Sequence, residues 1–113
     1  MNFGEAIEAI KEGQAVARSG WNGKGMFVFM RPADAIPVDV VIHNIKSLPQ
    51  VVKDYFVAQF AHTKEEEQKG KNLISFTPYL CMKAADNSIV NGWLASQTDM
   101  LATDWELFKI TND

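Results

Sequence analysis

The sequence has little cysteine and no excess of basic residues. Cys81 is its single cysteine among 113 residues, so no disulfide can form within the chain. Eleven Lys and Arg residues stand against 14 Asp and Glu, giving a formal net charge of −3. Proteins that bind DNA or RNA polymers usually carry a basic face, so this composition disfavours that function.

The sequence also lacks targeting and membrane-spanning segments. No apolar run approaches the roughly 18 residues of a transmembrane helix. Met1 to Glu5 lack the basic and apolar regions of a signal peptide. We therefore expect a soluble, cytoplasmic protein with no membrane partner.

Metal ligands and nucleophiles are equally scarce. His43 and His62 share no recognisable metal-ligand spacing with Cys81, which lies between apolar residues and is expected to be a buried, inert thiol. Asp99 and Asp104 could be proposed as an acid and a base, but no nucleophile or metal ligand accompanies them. We expect no metal, no cofactor and no catalytic residue, and therefore binding without turnover.

The N-terminal third predicts a helix followed by a β-hairpin. Asn2 and Glu5 have the spacing of a capping box, and Gly13 suits the end of the helix. Gln14–Trp21 and Met26–Arg31 are predicted as the two arms of a hairpin, because Asn-Gly between apolar runs favours a tight turn.

The second arm of this hairpin is apolar on both faces. A strand with one face in water should alternate apolar and polar residues. Here Met26, Val28 and Met30 share one face, while Phe27 and Phe29 share the other. The first helix can cover one face, and a second subunit is the best candidate for the other, so the pattern predicts a homo-oligomer.

The remaining sequence predicts a mixed arrangement of short elements. They are an edge strand within Val38–Ile45, a helix over Ser47–Phe60, strands over Tyr79–Ala84 and Ser88–Val90, a helix that Ser96 and Asp99 cap, and a last strand over Trp105–Ile110. We predict an α+β fold in one domain, residues 1–113. An antiparallel sheet carries the N-terminal helix, and a helical insertion over about 34–72 separates the hairpin from the C-terminal strands.

Residues around the hairpin turn suit an anionic, aromatic ligand. Arg18 and Lys24 could contact phosphate, because a guanidinium and an ammonium both bind phosphate oxygens. Trp21 and Phe27 could stack on a base, and Asn22 could contact a ribose hydroxyl or a base edge. A turn with a purely structural role would use the same residues. Gly23-Lys24-Gly25 does not have the spacing of a P-loop.

A second polar and aromatic cluster lies near the C-terminus. Trp93 follows Gly92, where the chain could bend and expose the indole. Gln97, Thr98 and Asp99 offer hydrogen-bonding groups to ribose or base edges at the start of the capped helix. Helix capping alone would also account for Asp99, and Trp93 could equally be part of the core.

Both clusters carry a resemblance to a known family. The stretches Asn2-Phe3-Gly4-Glu5-Ala6 and Ala17-Arg18-Ser19-Gly20-Trp21-Asn22-Gly23-Lys24-Gly25-Met26 resemble the start of the second Thoeris anti-defence family. Trp93-Leu94-Ala95-Ser96-Gln97-Thr98-Asp99, followed by Asp104-Trp105, resembles its C-terminal signature, and Tyr79–Ala85 is similar to its penultimate hairpin. The resemblance covers residues 1–31 and 79–108.

The resemblance implies a phage protein that acts as a sponge. Such a protein binds a cyclic ADP-ribose isomer in the host cytoplasm without cleaving it, and so keeps a bacterial immune effector inactive. Family members are homo-oligomers, typically tetramers, and some also bind cyclic oligonucleotides at a separate site. The region Asp34 to Asn72 departs from shorter relatives, in which a compact loop replaces it.

Two alternatives remain open at this stage. One is a hydrolase of the same cyclic nucleotide, for which Asp99 and Asp104 would be the acid and base candidates. The other is a protein–protein interaction module that uses the apolar stripe of Val52 to Phe60 and the charged segment after it.

Overall fold

A computed structural model of the chain describes residues 1–21, 25–60 and 72–110. The chain divides into two compact units: a sheet unit, Met1–Pro32 with Pro78–Asp113, and a central unit, Ala33–Thr77. The helices and strands, in chain order, are α1 (Phe3–Lys11), β1 (Val16–Arg18), β2 (Phe27–Arg31), β3 (Asp34–Pro37), α2 (Val38–His43), α3 (Gln50–Gln59), β4 (Leu73–Phe76), β5 (Tyr79–Lys83), β6 (Ile89–Asn91), α4 (Gln97–Leu101) and β7 (Trp105–Leu107).

Helix α1 begins at the capping box that the sequence predicts. The Asn2 side chain accepts a hydrogen bond from the backbone N–H of Glu5 at 2.8 Å, and the Glu5 carboxylate accepts one from the backbone N–H of Asn2 at 2.9 Å. Ala6 and Ile10, four residues apart and therefore on one face of the helix, are buried. This face packs α1 onto the sheet.

The sheet unit is built on five antiparallel strands in the order β6-β5-β2-β1-β7. Its buried core joins α1 to the sheet through one cluster of side chains, which are Ala6, Ile10, Val16, Val28 and Trp105. The arrangement confirms the predicted α+β fold, with an antiparallel sheet and the N-terminal helix packed on it.

Strand β2 has apolar side chains on both faces, as the sequence predicts. Val28 is fully buried in the core cluster, and Met30 packs against that cluster on the same face. The Phe27 ring lies 6.0 Å from the Phe29 ring and 4.3 Å from the Phe108 ring, measured between centroids, on the opposite face. That a second subunit covers this face stays a prediction.

The central unit contains a two-stranded antiparallel sheet, β3 with β4, and helices α2 and α3. The predicted edge strand over Val38–Ile45 is wrong, because Val38–His43 forms α2. Pro37 at the N-cap precedes this helix, and the fully buried Val38 and Val41 lie three residues apart on one helical face. The burial of that face outweighs the strand preference of β-branched residues.

The predicted helix over Ser47–Phe60 is confirmed in part, since α3 begins at Gln50 and ends at Gln59. None of its side chains is fully buried, and Val51 and Tyr55 are 73% and 60% exposed. Helix α3 is therefore a peripheral element of its unit. No helix in residues 1–21, 25–60 and 72–110 has the length and apolar character needed to cross a membrane.

The C-terminal elements follow the predicted order, with β6 shifted by one residue and the other elements shorter than predicted. β5 and β6 form a hairpin whose turn places Asn87 at φ 71°, a conformation that asparagine tolerates better than most residues. α4 begins after Ser96 and ends at Leu101, and β7 covers only Trp105–Leu107.

Candidate functional site

The two clusters that the sequence singles out meet in the sheet unit. The indole N–H of Trp21 donates a hydrogen bond to Oδ1 of Asp99 at 3.2 Å, across 78 positions of sequence. Nη1 of Arg18 donates to the same oxygen at 2.7 Å. The Trp93 ring lies 6.3 Å from the Trp21 ring between centroids. Four of the predicted ligand residues thus lie together.

The three tryptophans of the chain form one aromatic group, which we call the tryptophan cluster: Trp21, Trp93 and Trp105. Trp105 lies 5.3 Å from Trp21 and 6.4 Å from Trp93 between ring centroids, and all three pairs meet edge to face. Trp105 is only 2% exposed, whereas Trp21 and Trp93 are half-buried. Trp105 is therefore the core of the cluster, and the other two indoles offer surface to a ligand.

Helix α4 starts beside this cluster. The Ser96 hydroxyl accepts from the Asp99 backbone N–H at 3.0 Å, and Oδ2 of Asp99 accepts from the Ser96 backbone N–H at 3.3 Å. This is the capping box that the sequence predicts. Gln97 and Thr98 lie in the first turn of α4, and both are exposed. Their amide and hydroxyl groups are accessible to a ligand.

Arg18 lies between two carboxylates. Its Nε donates to Oδ1 of Asp104 at 2.8 Å, in addition to the bond from Nη1 to Asp99. Oδ2 of Asp104 also accepts from the backbone N–H of Gly20 at 2.8 Å. The side chains of Arg18, Asp99 and Asp104 are 16%, 14% and 30% exposed, so the ion pairs are largely shielded from solvent.

These contacts keep all three groups charged. The hydrogen bond from Arg18 lowers the pKa of Asp104 below its usual value. Burial acts to raise the pKa of Asp99, but hydrogen bonds from Arg18, Trp21 and Ser96 outweigh it and lower that pKa. Hydrogen bonds to Asp104 and then to Asp99 raise the pKa of Arg18. With one cation and two anions, the group carries a net negative charge at neutral pH.

The structure does not bring every predicted ligand residue into this site. Phe27 lies on the opposite face of β2 from the core residue Val28, and its ring contacts are with Phe29 and Phe108 rather than with the tryptophan cluster. Asn22 and Lys24 lie outside the described residues.

Asp104 and Trp105 are the residues whose part in this site sequence reasoning missed. Their signal in the sequence is the resemblance, which includes Asp104-Trp105 after the C-terminal signature; by residue type alone, Asp104 is an acid or base candidate and Trp105 starts the last strand. In the structure both residues support the site: the Asp104 carboxylate accepts a hydrogen bond from Arg18, and the Trp105 indole N–H donates to the backbone carbonyl of Asp99 at 2.9 Å.

Two other features bear on possible chemistry. Among the described residues, no group of three or more His, Cys, Asp and Glu side chains has the geometry to hold a metal ion. An open depression beside β7 is lined by Met1, Trp105, Glu106, Leu107 and Lys109, none of which belongs to the predicted ligand set. The tryptophan cluster with Gln97 and Thr98 is thus the best-equipped site, since it can stack a flat ring and hydrogen-bond its substituents.

Comparisons with known proteins show the family to which the chain belongs. Residues 1–108 match the family model described as a Thoeris anti-defense 2-like domain. The chain is 39% identical over 107 residues to a protein of Bacillus phage SP01 named Thoeris anti-defense 2. The aligned part covers 95% of this chain and 93% of the phage protein. An alignment of this extent spans the central segment, and the predicted insertion over about 34–72 stays a prediction.

Proposed function

The chain belongs to the Thoeris anti-defense 2-like family, and on that basis we propose that it binds a cyclic ADP-ribose-type signalling nucleotide and holds it uncleaved. Binding of this kind in the host cytoplasm would withdraw the messenger from a Thoeris immune effector and leave the effector inactive. One observation carries the proposal: Trp21 and Asp99, from opposite ends of the sequence, are hydrogen-bonded beside Trp93.

Stacking on Trp21 and Trp93 is the main source of affinity in this proposal. Both indoles are half-buried, so each has a fixed position and some accessible ring surface. By analogy with nucleic-acid recognition, one base stacked on an aromatic side chain contributes roughly 1–3 kcal/mol. A cyclic nucleotide with one adenine ring and a second cyclic group can use both surfaces.

Polar groups around the tryptophan cluster complete the proposed site. Gln97 and Thr98 are exposed in the first turn of α4 and reach outward to ribose hydroxyls or base edges. We assign phosphate contact to Lys24 and a ribose or base contact to Asn22, because the sequence predicts both in the hairpin turn. A charge-assisted hydrogen bond to phosphate contributes roughly 1.5–3 kcal/mol.

The required affinity limits how the site can be organised. Nanomolar binding corresponds to about 12 kcal/mol, so several such contacts must act together on a preformed site. Asp99 supports a preformed site, because its carboxylate holds Trp21 and its backbone carbonyl holds Trp105. A ring-shaped ligand loses little conformational entropy on binding, which favours the same outcome.

The proposal includes a homo-oligomer, with a tetramer as the expected state. Support comes from β2, whose second face presents the half-buried rings of Phe27 and Phe29. The family resemblance also raises the possibility of a separate site for cyclic oligonucleotides, so these ligands are included in the binding experiment.

Native mass spectrometry of the purified protein with a panel of cyclic ADP-ribose isomers and cyclic oligonucleotides tests the proposal. We expect a tetramer that retains a cyclic ADP-ribose isomer of unchanged mass. Heating the complex to denature the protein should then release intact ligand. The control is protein that was heat-denatured without prior incubation with ligand. A released product one water heavier would identify a hydrolase, and an absence of any bound nucleotide would reject the proposal.

A further inference from the structure

Arg18 is an unfavourable neighbour for a phosphate group. Its guanidinium is bound on two sides, by Asp104 through Nε and by Asp99 through Nη1. The two carboxylates more than neutralise it, so a phosphate placed against this group would meet net repulsion at short range. Nε–H and one N–H of Nη1 already donate in bonds of 2.8 and 2.7 Å, so a phosphate could reach only the remaining guanidinium N–H groups, beside both carboxylates.

The same ion pairs fix the orientation of Trp21. Oδ1 of Asp99 accepts from both Arg18 and the Trp21 indole N–H, so rotation of the indole breaks a hydrogen bond to a charged acceptor. Edge-to-face contacts with Trp93 and Trp105 hold the ring from the sides. The ring plane is therefore determined before any ligand arrives.

The backbone that carries Trp21 is held by Asp104. Oδ2 of Asp104 accepts from the Gly20 backbone N–H at 2.8 Å, and the Ser19 backbone N–H donates to the Asp104 carbonyl at 3.1 Å. A Cβ at Gly20 would lie 2.7 Å from the same carboxylate oxygen, so only glycine allows the chain this close. The turn from Arg18 to Trp21 is thus attached to Asp104 at three successive residues.

We propose that Arg18 is a positioning residue, which acts with Asp99 and Asp104 to fix the Trp21 indole for stacking on the ligand and makes no contact with phosphate. The inference rests on the proposed function for its ligand, but it changes the role of Arg18 from charge recognition to geometry. Affinity arises here because the Trp21 ring is ordered during folding rather than during binding.

Two substitutions of Arg18 separate geometry from charge. Lys in Arg18→Lys keeps the charge but lacks the planar fork that bridges two carboxylates, and Gln in Arg18→Gln has neither. If Arg18 positions Trp21, calorimetry should find both variants weakened by a similar factor, on the order of tenfold. The salt dependence of Kd should stay as in the original protein, because no contact to phosphate has been lost.

Lys24→Gln is the matched comparison, since Lys24 is the residue we assign to phosphate. Its loss should lower the salt dependence of Kd as well as the affinity. Arg18→Lys that retains its affinity to within about twofold, with Arg18→Gln losing both affinity and salt dependence, would overturn the inference in favour of direct phosphate contact.

A second measurement tests the positioning role without ligand. In ¹⁵N–¹H spectra the three indoles give three N–H resonances, and Trp21→Phe identifies the one that belongs to Trp21. Asp99→Asn replaces the charged acceptor by a neutral one, so the Trp21 resonance should move and exchange faster with water. Backbone N–H resonances of α3, which belongs to the central unit, are the internal reference.

The binding measurement and the indole spectra can contradict the proposed function and the positioning role separately. If the original protein binds no cyclic ADP-ribose isomer, the proposed function is wrong, and the indole spectra alone decide whether Arg18 and Asp99 hold Trp21. If ligand binds but the Trp21 resonance is unchanged in both Asp99→Asn and Arg18→Lys, the positioning role is wrong. A merely structural role predicts lower stability with an unchanged Kd, and that result would also overturn the inference.

Discussion

The indole N–H of Trp105 donates to the backbone carbonyl oxygen of Asp99 at 2.9 Å. Trp105 belongs to the buried core, and the carboxylate of Asp99 belongs to the candidate site. Asp99 therefore connects the buried core, through Trp105, to the side chains that we expect to contact a ligand. Changes in this core should reach the site through Asp99.

Trp105→Ala should be strongly destabilising. Removal of a fully buried tryptophan leaves a cavity and removes one of the two hydrogen bonds to the Asp99 carbonyl, and such changes typically cost about 3–5 kcal/mol of the free energy of unfolding. Urea denaturation measures the loss. Leu94→Ala is the matched control, because Leu94 is 88% exposed, and its effect should stay within about 0.5 kcal/mol. Equal losses for the two variants would contradict the assignment of Trp105 to the core.

Trp21→Ala and Trp93→Ala should each weaken binding of the cyclic nucleotide by roughly tenfold to a hundredfold, which is the range expected for one lost base stack. Phe27→Ala should lower stability through its contact with Phe108, 4.3 Å away between centroids, but change Kd by less than about threefold. Calorimetry on the folded variants measures all three. A large loss for Phe27→Ala would place a second copy's Phe27 in the site.

The two capping boxes provide a matched pair of substitutions. Ser96→Ala and Asn2→Ala each remove an N-cap acceptor and should cost about 1 kcal/mol of stability. Only Ser96 caps the helix that presents Gln97 and Thr98, so only Ser96→Ala should also weaken binding. Chemical denaturation and calorimetry together test this, and a parallel drop in affinity for Asn2→Ala would show that stability alone controls binding.

Stability should fall in acid because of Asp99 and Asp104. The pKa of each is lowered in the folded state, so each contributes stability that is complete above the unfolded pKa of about 3.9. That contribution is lost as the pH falls from about 4 through the lower folded pKa values. Asp86, whose pKa the Ser88 hydroxyl lowers, adds to the same trend.

Thermal unfolding between pH 7 and pH 2.5 measures this dependence. Asp104→Asn should be less stable at pH 7 and should lose less on acidification, because a neutral amide has no proton to gain. Arg18 does not titrate in this range, since its pKa is raised from an already high value. An unchanged acid profile in Asp104→Asn would remove Asp104 as a source of the pH dependence.

Local features of the fold could be predicted well from sequence. Asn2 with Glu5 and Ser96 with Asp99 gave both capping boxes, because a cap depends on residues three positions apart. The edge strand predicted within Val38–Ile45 is wrong, because its β-branched residues favour a strand locally, whereas burial of Val38 and Val41 on one face favours the helix Val38–His43.

The candidate site was harder to predict because it depends on strand pairing. Phe27 and Trp21 are close in sequence, and only the sheet determines that Phe27 faces away from the core. From its residue type alone Arg18 is predicted to contact phosphate, and nothing local in the sequence indicates that Asp99 and Asp104 lie beside it. Pairing of β1 with β7, which sets Arg18 opposite Trp105, creates that neighbourhood.

The grouping of every tryptophan of the chain around one point gives the protein a built-in optical probe. Its ultraviolet emission arises from a single neighbourhood, so no distant indole dilutes the signal. A purine that settles on Trp21 or Trp93 will quench that emission. Capture and release can therefore be followed in real time by stopped-flow mixing, without a label and on the unaltered chain.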